Sequence, residues 1–167
     1  MQRFLAILVA VLILAGAAGY LVLERQHAAE IERITAETHA RLARVRQEQE
    51  QVIRGLGQDL ATTLAVLLAD DIARGNLALV EARLTPIVQG QRVAGILVVD
   101  QAGQVLAATD LRYRGRALDD EATRKAIAVE NVVVAESPPA PGQLEIDAPV
   151  FSSGQRVATV RLFLDLK

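Results

Sequence analysis

Apolar positions run along this chain in three different rhythms, and each rhythm predicts a different element. From Phe4 to Leu23 there are twenty residues without a charge, bounded by Arg3 and by Glu24-Arg25. As a helix this stretch spans roughly 30 Å, about the hydrocarbon thickness of a bilayer. It predicts a transmembrane anchor over 1–23, with Arg3 and the amino terminus on the cytoplasmic side and everything after it outside. Ala15-Gly16-Ala17 also resembles a small-residue cleavage site, so removal of residues 1–17 as a signal peptide is the alternative. Both routes deliver the rest of the chain out of the cytoplasm.

From Glu24 to Gln58 the rhythm becomes helical. Ile31, Ile34, Leu42, Val45, Val52 and Leu56 recur at spacings of three and four, with Thr38 and Gln49 filling the gaps. Six acidic and six arginine side chains surround this narrow seam, and Glu37–Arg41 and Glu50–Arg54 stand at i,i+4 in the favourable order. A single apolar seam on a charged helix asks for a second seam. The stalk over 24–58 is therefore expected to form a parallel coiled coil in a homodimer, the alternative being a lone amphipathic helix packed on its own domain. His27 and His39 lie about 18 Å apart along such a helix, roughly 120° around its axis, so they cannot share a metal within one chain.

Gly55 and Gly57 mark a change of pattern. Beyond them Leu60, Leu64, Leu67, Leu68 and Ile72 make a wider apolar face suited to a globular core. Gly75 fits a helix end and Asn76 the start of a further helix over Leu77–Gln89, kinked or divided at Pro86. The rhythm then changes to that of strands. Ile96–Val99 and Val105–Ala108 flank Asp100-Gln101-Ala102-Gly103, a tight turn with a bulge: Asp accepts backbone N–H groups and Gly tolerates positive φ. A polar loop, Leu111–Arg116, leads to a short helix from Ala117-Leu118-Asp119-Asp120-Glu121 to about Val129. Asn131–Glu136 reads as a strand and Pro138-Pro139-Ala140-Pro141-Gly142 as a turn. Leu144–Phe151 and Val157–Leu166 read as a final hairpin through Ser152-Ser153-Gly154. Strands that come in pairs predict an α+β domain with an antiparallel sheet and helices on one face.

Composition removes several functions. A net charge of −2 with 16 Arg and 2 Lys gives no basic surface for nucleic acid, and the few aromatics offer no stacking platform. The absence of Cys excludes disulfides, thiol catalysis and cysteine-bound metals. Ser137, Ser152 and Ser153 lie far in sequence from both histidines, so no nucleophile and base come together, and Asp70-Asp71 and Asp119-Asp120-Glu121 read as helix ends. No enzyme, cofactor or metal is expected.

The run VVDQAGQVLAATDLRYRGRAL resembles the central pattern of extracytoplasmic PAS-like sensor domains, the Cache (or PDC) family, and DAPVFSSGQRVATVRLFLDL is similar to that family's last two strands. The resemblance covers about Leu60 to Lys167 and gives 59–167 as a PAS-like domain. It implies a five-stranded antiparallel sheet whose concave face, covered by loops and the short helix, holds a small molecule, and homodimers paired through the first long helix. It also implies a bacterial inner (cytoplasmic) membrane protein, single-pass, with a periplasmic or extracellular domain. Relatives that sense citrate and similar acids carry a His in the second strand or the following loop. Here Ala107-Ala108-Thr109 stand there, which speaks against an organic acid. The expected ligand contacts are Thr109, Asp110, Arg112, Tyr113 and Arg116, with guanidinium forks and a phenol as the recognising groups. The expected function is a membrane-anchored sensor-like module in signal transduction. It would be either the amino-terminal part of a receptor or a standalone accessory with a separate signalling partner. The alternative is a non-catalytic scaffold whose coiled coil and PAS-like domain recruit partners.

Overall fold

The computed structural model describes residues 2–89, 92–137, 140 and 142–166, with side chains from Thr35 onward. The chain divides into two units, Met1–Glu48 and Gln49–Lys167. The first unit is helical backbone, the beginning of α1 (Gln2–Ala73). The expected anchor, Phe4–Leu23, lies on this helix at positions whose side chains are outside the described residues, as does His27. His39, Leu42 and Val45 are exposed.

In the second unit the elements are the end of α1, α2 (Leu77–Gln89), β1 (Val93–Val99), β2 (Val105–Ala108), α3 (Glu121–Ala128), β3 (Val133–Glu136), β4 (Gln143–Ser152) and β5 (Gln155–Asp165). The five strands form one sheet in the order β2-β1-β5-β4-β3, and every neighbouring pair is antiparallel. Strands adjacent in sequence lie adjacent in the sheet except β2 and β3, which form its opposite edges, and β5 lies between β1 and β4. This is an α+β fold.

α1 does not break at Gly55 and Gly57. Gly57 is buried where the helix crosses the sheet, and a Cβ there would run into the Cδ1 atoms of Ile146 and Leu164. Its sequence signal is close approach of helix to sheet. Past this crossing, Ala61, Leu64, Ala65, Leu68, Ala69 and Ile72 repeat at three and four, and all are buried against the sheet. Among the described residues Thr35–Ala73 is the one helical stretch long and apolar enough to cross a membrane by length and composition (mean hydropathy 1.3). Part of its apolar surface is this core face.

α2 runs through Pro86 without dividing, and the Thr85 hydroxyl donates to the Glu81 carbonyl in the turn before it (2.9 Å). Arg83 ties α2 to α1, reaching the Leu67 carbonyl at 3.1 Å and Asp71 at 3.2 Å. The Asp100 turn forms as its residues require. Asp100 Oδ1 accepts from the backbone of Ala102 and Gln104, both at 2.8 Å, and Gly103 takes φ +82°. The expected bulge lies between Val98 and Val99.

Two expectations need correction. The short helix begins at Glu121, not near Ala117, because Ala117 pairs with Gln104 as a β-bridge and Asp120 is the N-cap. The helices also do not all share one face: α1 and α2 cover one side of the sheet, while α3 lies on the other. The proline turn falls largely on residues 138, 139 and 141, outside the described residues.

Candidate functional site

Strand alternation sends every second side chain of β4 and β5 away from α1 and α2. Midway along β4 these are Glu145 and Asp147; midway along β5 they are Thr159, Arg161 and Phe163. The sheet register sets Asp147 directly opposite Arg161. All of the polar ones are buried. A charge inside a protein is tolerated when it is paired and hydrogen-bonded, so the partners decide what this face can do.

Arg161 is the centre. Its Nε and Nη2 donate to Glu145 Oε1, the first at 3.0 Å, and its Nη1 donates to the Thr123 hydroxyl at 2.6 Å. The guanidinium also stands 5.7 Å over the Phe163 ring, within cation–π range. Thr123 passes the link on, donating from Oγ1 to Asp120 Oδ2 (2.8 Å), while its backbone N–H donates to Asp120 Oδ1 (2.9 Å). Burial alone would raise the Asp120 carboxyl. The two Thr123 bonds and the positive Arg161 outweigh it and hold the carboxyl below its usual range. At the far end of α3, Arg156 donates to the carbonyls of Ala126 (3.3 Å) and Val129 (2.7 Å). Two arginines of β5 thus hold α3 by both ends, the second satisfying carbonyls the helix leaves open.

Asp147 is less well served. Arg161 Nε approaches it at 3.5 Å, and its Oδ1 is buried without a hydrogen bond among the described residues. Burial, reinforced by Glu145 and opposed by Arg161, pushes its carboxyl up to about 7.

Beside α3, between the sheet and the 109–118 loop, lies a cavity of about 420 Å³. Its floor is β1, β5 and β4, through Leu97, Phe163, Arg161 and Glu145, and Ser137 and Gln143 close one end. Ser137 is 3% exposed, and its Oγ has no hydrogen-bond partner among the described residues.

The loop supplies three of the five expected contacts. Thr109, Asp110 and Tyr113 line the cavity, with Thr109 Oγ1 fixed by the Ile96 N–H at 2.9 Å. Arg112 and Arg116 are not brought to it. Arg112 is 82% exposed at its side chain and turns back onto Asp110 (2.6 Å), whose carboxyl it holds below the usual carboxylate range. Arg116 is exposed, and its carbonyl accepts from Val105 N–H (2.8 Å). Arg114 instead pairs with Glu81 of α2 (2.8 Å), anchoring the loop.

Sequence reading missed Glu145, Asp147 and Arg161. The signal was present: LEIDAPV and VATVRLFLD place charges at alternate positions within otherwise apolar strands. Only pairing across the sheet makes those charges one cluster.

No family model matches this chain, and no curated protein matches it. Solved structures do. The extracellular domain assigned to a histidine kinase, vpHK1S-Z8, superposes with a TM-score of 0.62 at 18% identity over 83% of this chain and 60% of that one. A domain of a sensory box/GGDEF family protein from Vibrio parahaemolyticus gives 0.55 at 17% identity, over 75% of this chain and 58% of that one. The DcuS sensor domain from E. coli gives 0.51 at 19% identity, over 68% of this chain and 91% of that one. The chain spans less than two thirds of the first two structures. At these identities the likeness is one of fold: a long helix leading into a five-stranded antiparallel sheet, the architecture of extracellular and sensor domains.

Proposed function

We propose that this chain is a membrane-anchored, extracytoplasmic sensor module of the Cache type that binds a small molecule and takes part in signal transduction. The observation that carries the reading is the cavity of about 420 Å³ on the polar face of the sheet, where Thr109, Asp110, Tyr113 and the Ser137 hydroxyl, without a hydrogen-bond partner among the described residues, converge. A concave site with a few convergent polar groups is the usual form of a ligand pocket. Thr109, Asp110 and Tyr113 contact the ligand, while Arg112 and Arg116 remain at the outer side of the loop. The protein is not a catalyst in this reading.

The helical Phe4–Leu23 segment is the anchor, in a bacterial inner membrane, with the amino terminus cytoplasmic and the 59–167 domain outside. Two copies pair through α1. What supports this pairing is the seam itself: Leu42, Val45, Val52 and Leu56 are exposed on one chain, and Val66 and Leu67 beyond them are exposed as well. Output passes to a separate signalling module or partner.

A thermal-shift screen of the full chain in detergent, against amino acids, organic acids and amines, tests the sensor reading. A ligand at a hundred times its Kd stabilises the fold by about 2.7 kcal/mol. Failure of every compound overturns sensing and leaves a dimeric scaffold as the reading. Sedimentation of the same sample checks the pairing, and single chains at concentrations of tens of micromolar would refute it.

A further inference from the structure

A second cavity, of about 670 Å³, lies on the other flank of α3, between that helix and the β3–β4 edge. Five carboxylates and one ammonium line it: Asp120, Glu121, Glu136, Glu145 and Asp147, with Lys125. Four of the five are already answered. Glu121 pairs with Lys125 at 2.8 Å, Glu136 faces Arg54 at 3.8 Å, Glu145 holds Arg161, and Asp120 caps α3. Asp147 is 9% exposed, and its Oδ1 has the Arg161 Nε at 3.5 Å and no hydrogen bond among the described residues. Arg161 cannot neutralise both neighbours, since its Nε and Nη2 are directed to Glu145. Arg156 acts on Asp147 only at a distance, its Nη1 and Nη2 donating to Val129, Ala126 and Thr159. Two buried carboxylates thus share the Arg161 guanidinium, and a proton or a further cation would relieve the excess negative charge.

We propose that this cavity takes an organic ammonium ion, its N–H groups donating to Asp147 and its carbon chain lying against Ala122, Val129, Val133 and Ala135. This site is separate from the Thr109–Asp110–Tyr113 cavity that carries the sensor reading, and it stands or falls independently of it. A dicarboxylate would meet repulsion from most of the wall. An inorganic cation lacks a cage, because no group of three potential metal ligands converges among the described residues.

Binding is coupled to a proton. The groups facing Asp147 are Glu145 on β4, Arg161 and Arg156 on β5, Glu136 on β3, and Asp120, Glu121 and Lys125 at α3. With its carboxyl raised to about 7, mainly by burial, Asp147 must lose a proton before it can pair with an ammonium below neutral pH. Lowering the pH from 8 to 5.5 should therefore weaken amine binding roughly 30-fold.

Calorimetric titration of the full chain in detergent with 1,4-diaminobutane, succinate and magnesium tests this. The expected result is binding of 1,4-diaminobutane alone, with release of about one proton at pH 6 read from the buffer dependence of the heat. Asp147→Asn should weaken it at least tenfold with the melting temperature unreduced. If that variant does not fold, the proton count on the unaltered chain decides. Binding of succinate or magnesium without the amine overturns the ammonium assignment and leaves the sensor reading standing. Inertness to all three overturns the assignment alone, since the broad thermal screen judges the sensor reading. Amine binding indifferent to pH and to Asp147→Asn also overturns it.

Discussion

Along β5, Ala158, Val160, Leu162 and Leu164 face α1 and α2, while Thr159, Arg161 and Phe163, one residue out of phase, face the side of α3. The same alternation on β4 sets Leu144, Ile146, Ala148 and Val150 against Glu145 and Asp147. One face of the sheet is stabilised by non-directional apolar burial, about 1.5–3 kcal/mol for each large side chain. The other depends on directed pairing, in which Arg161 and Arg156 donate to named acceptors and a missing partner costs more than the pair contributes. The apolar face holds the fold together. The polar face, with a cavity on each side of α3, is free to respond to what enters it.

The widest separation between the two faces should come from Arg161→Met. It leaves Glu145 and Asp147 buried without a counter-charge and should cost about 3–5 kcal/mol at pH 8, measured by urea unfolding. The loss should shrink at pH 5, where the Asp147 carboxyl is protonated. Leu162→Ala, the neighbouring residue on the opposite face, should cost about 3 kcal/mol and by the same amount at both pH values. A pH-dependent Leu162 effect or a pH-independent Arg161 effect would break the comparison.

Asp147→Asn should act in the reverse direction. Because burial raises the folded-state carboxyl to about 7 from 3.8, the fold bears no ionisation cost below about pH 4, and the cost grows between about pH 4 and 7 and is complete above 7. The substitution should therefore stabilise by up to about 4 kcal/mol at pH 8 and by nothing near pH 4, in the same unfolding assay. Asp120→Ala removes the N-cap of α3 and should cost about 1 kcal/mol. The smallest effect belongs to Arg112→Ala: the Asp110–Arg112 pair lies at the surface, so the melting temperature should not move.

The helices and strands were largely legible from periodicity, because burial of one face forces a period of about 3.6 or 2 on the sequence. Asp100 and Gly103 announced their turn, since local hydrogen bonds and one positive φ need no tertiary partner. Gly57 was misleading. Seen in the sequence it weakens a helix, and only the closeness of Ile146 and Leu164 explains it. Of the loop residues expected at the site, Thr109, Asp110 and Tyr113 do line the cavity, whereas Arg112 finds its partner two residues away in Asp110. A side chain's nearest opposite charge in sequence competes with any ligand, and residue type alone does not show which wins.

By itself the sequence determined the order of elements, the tight turn, the α+β class and an apolar helix at the amino terminus, all products of local geometry and one-sided burial. The tertiary structure decided that β5 lies between β1 and β4, which sets Arg161 opposite Asp147 and beside Glu145. It also decided that α3 covers the polar face instead of joining α1 and α2. Glu145 and Arg161 are sixteen positions apart, and Thr123 and Arg161 thirty-eight. No periodicity reaches that far, because pairing between distant strands is chosen by the whole sheet and not by either strand alone.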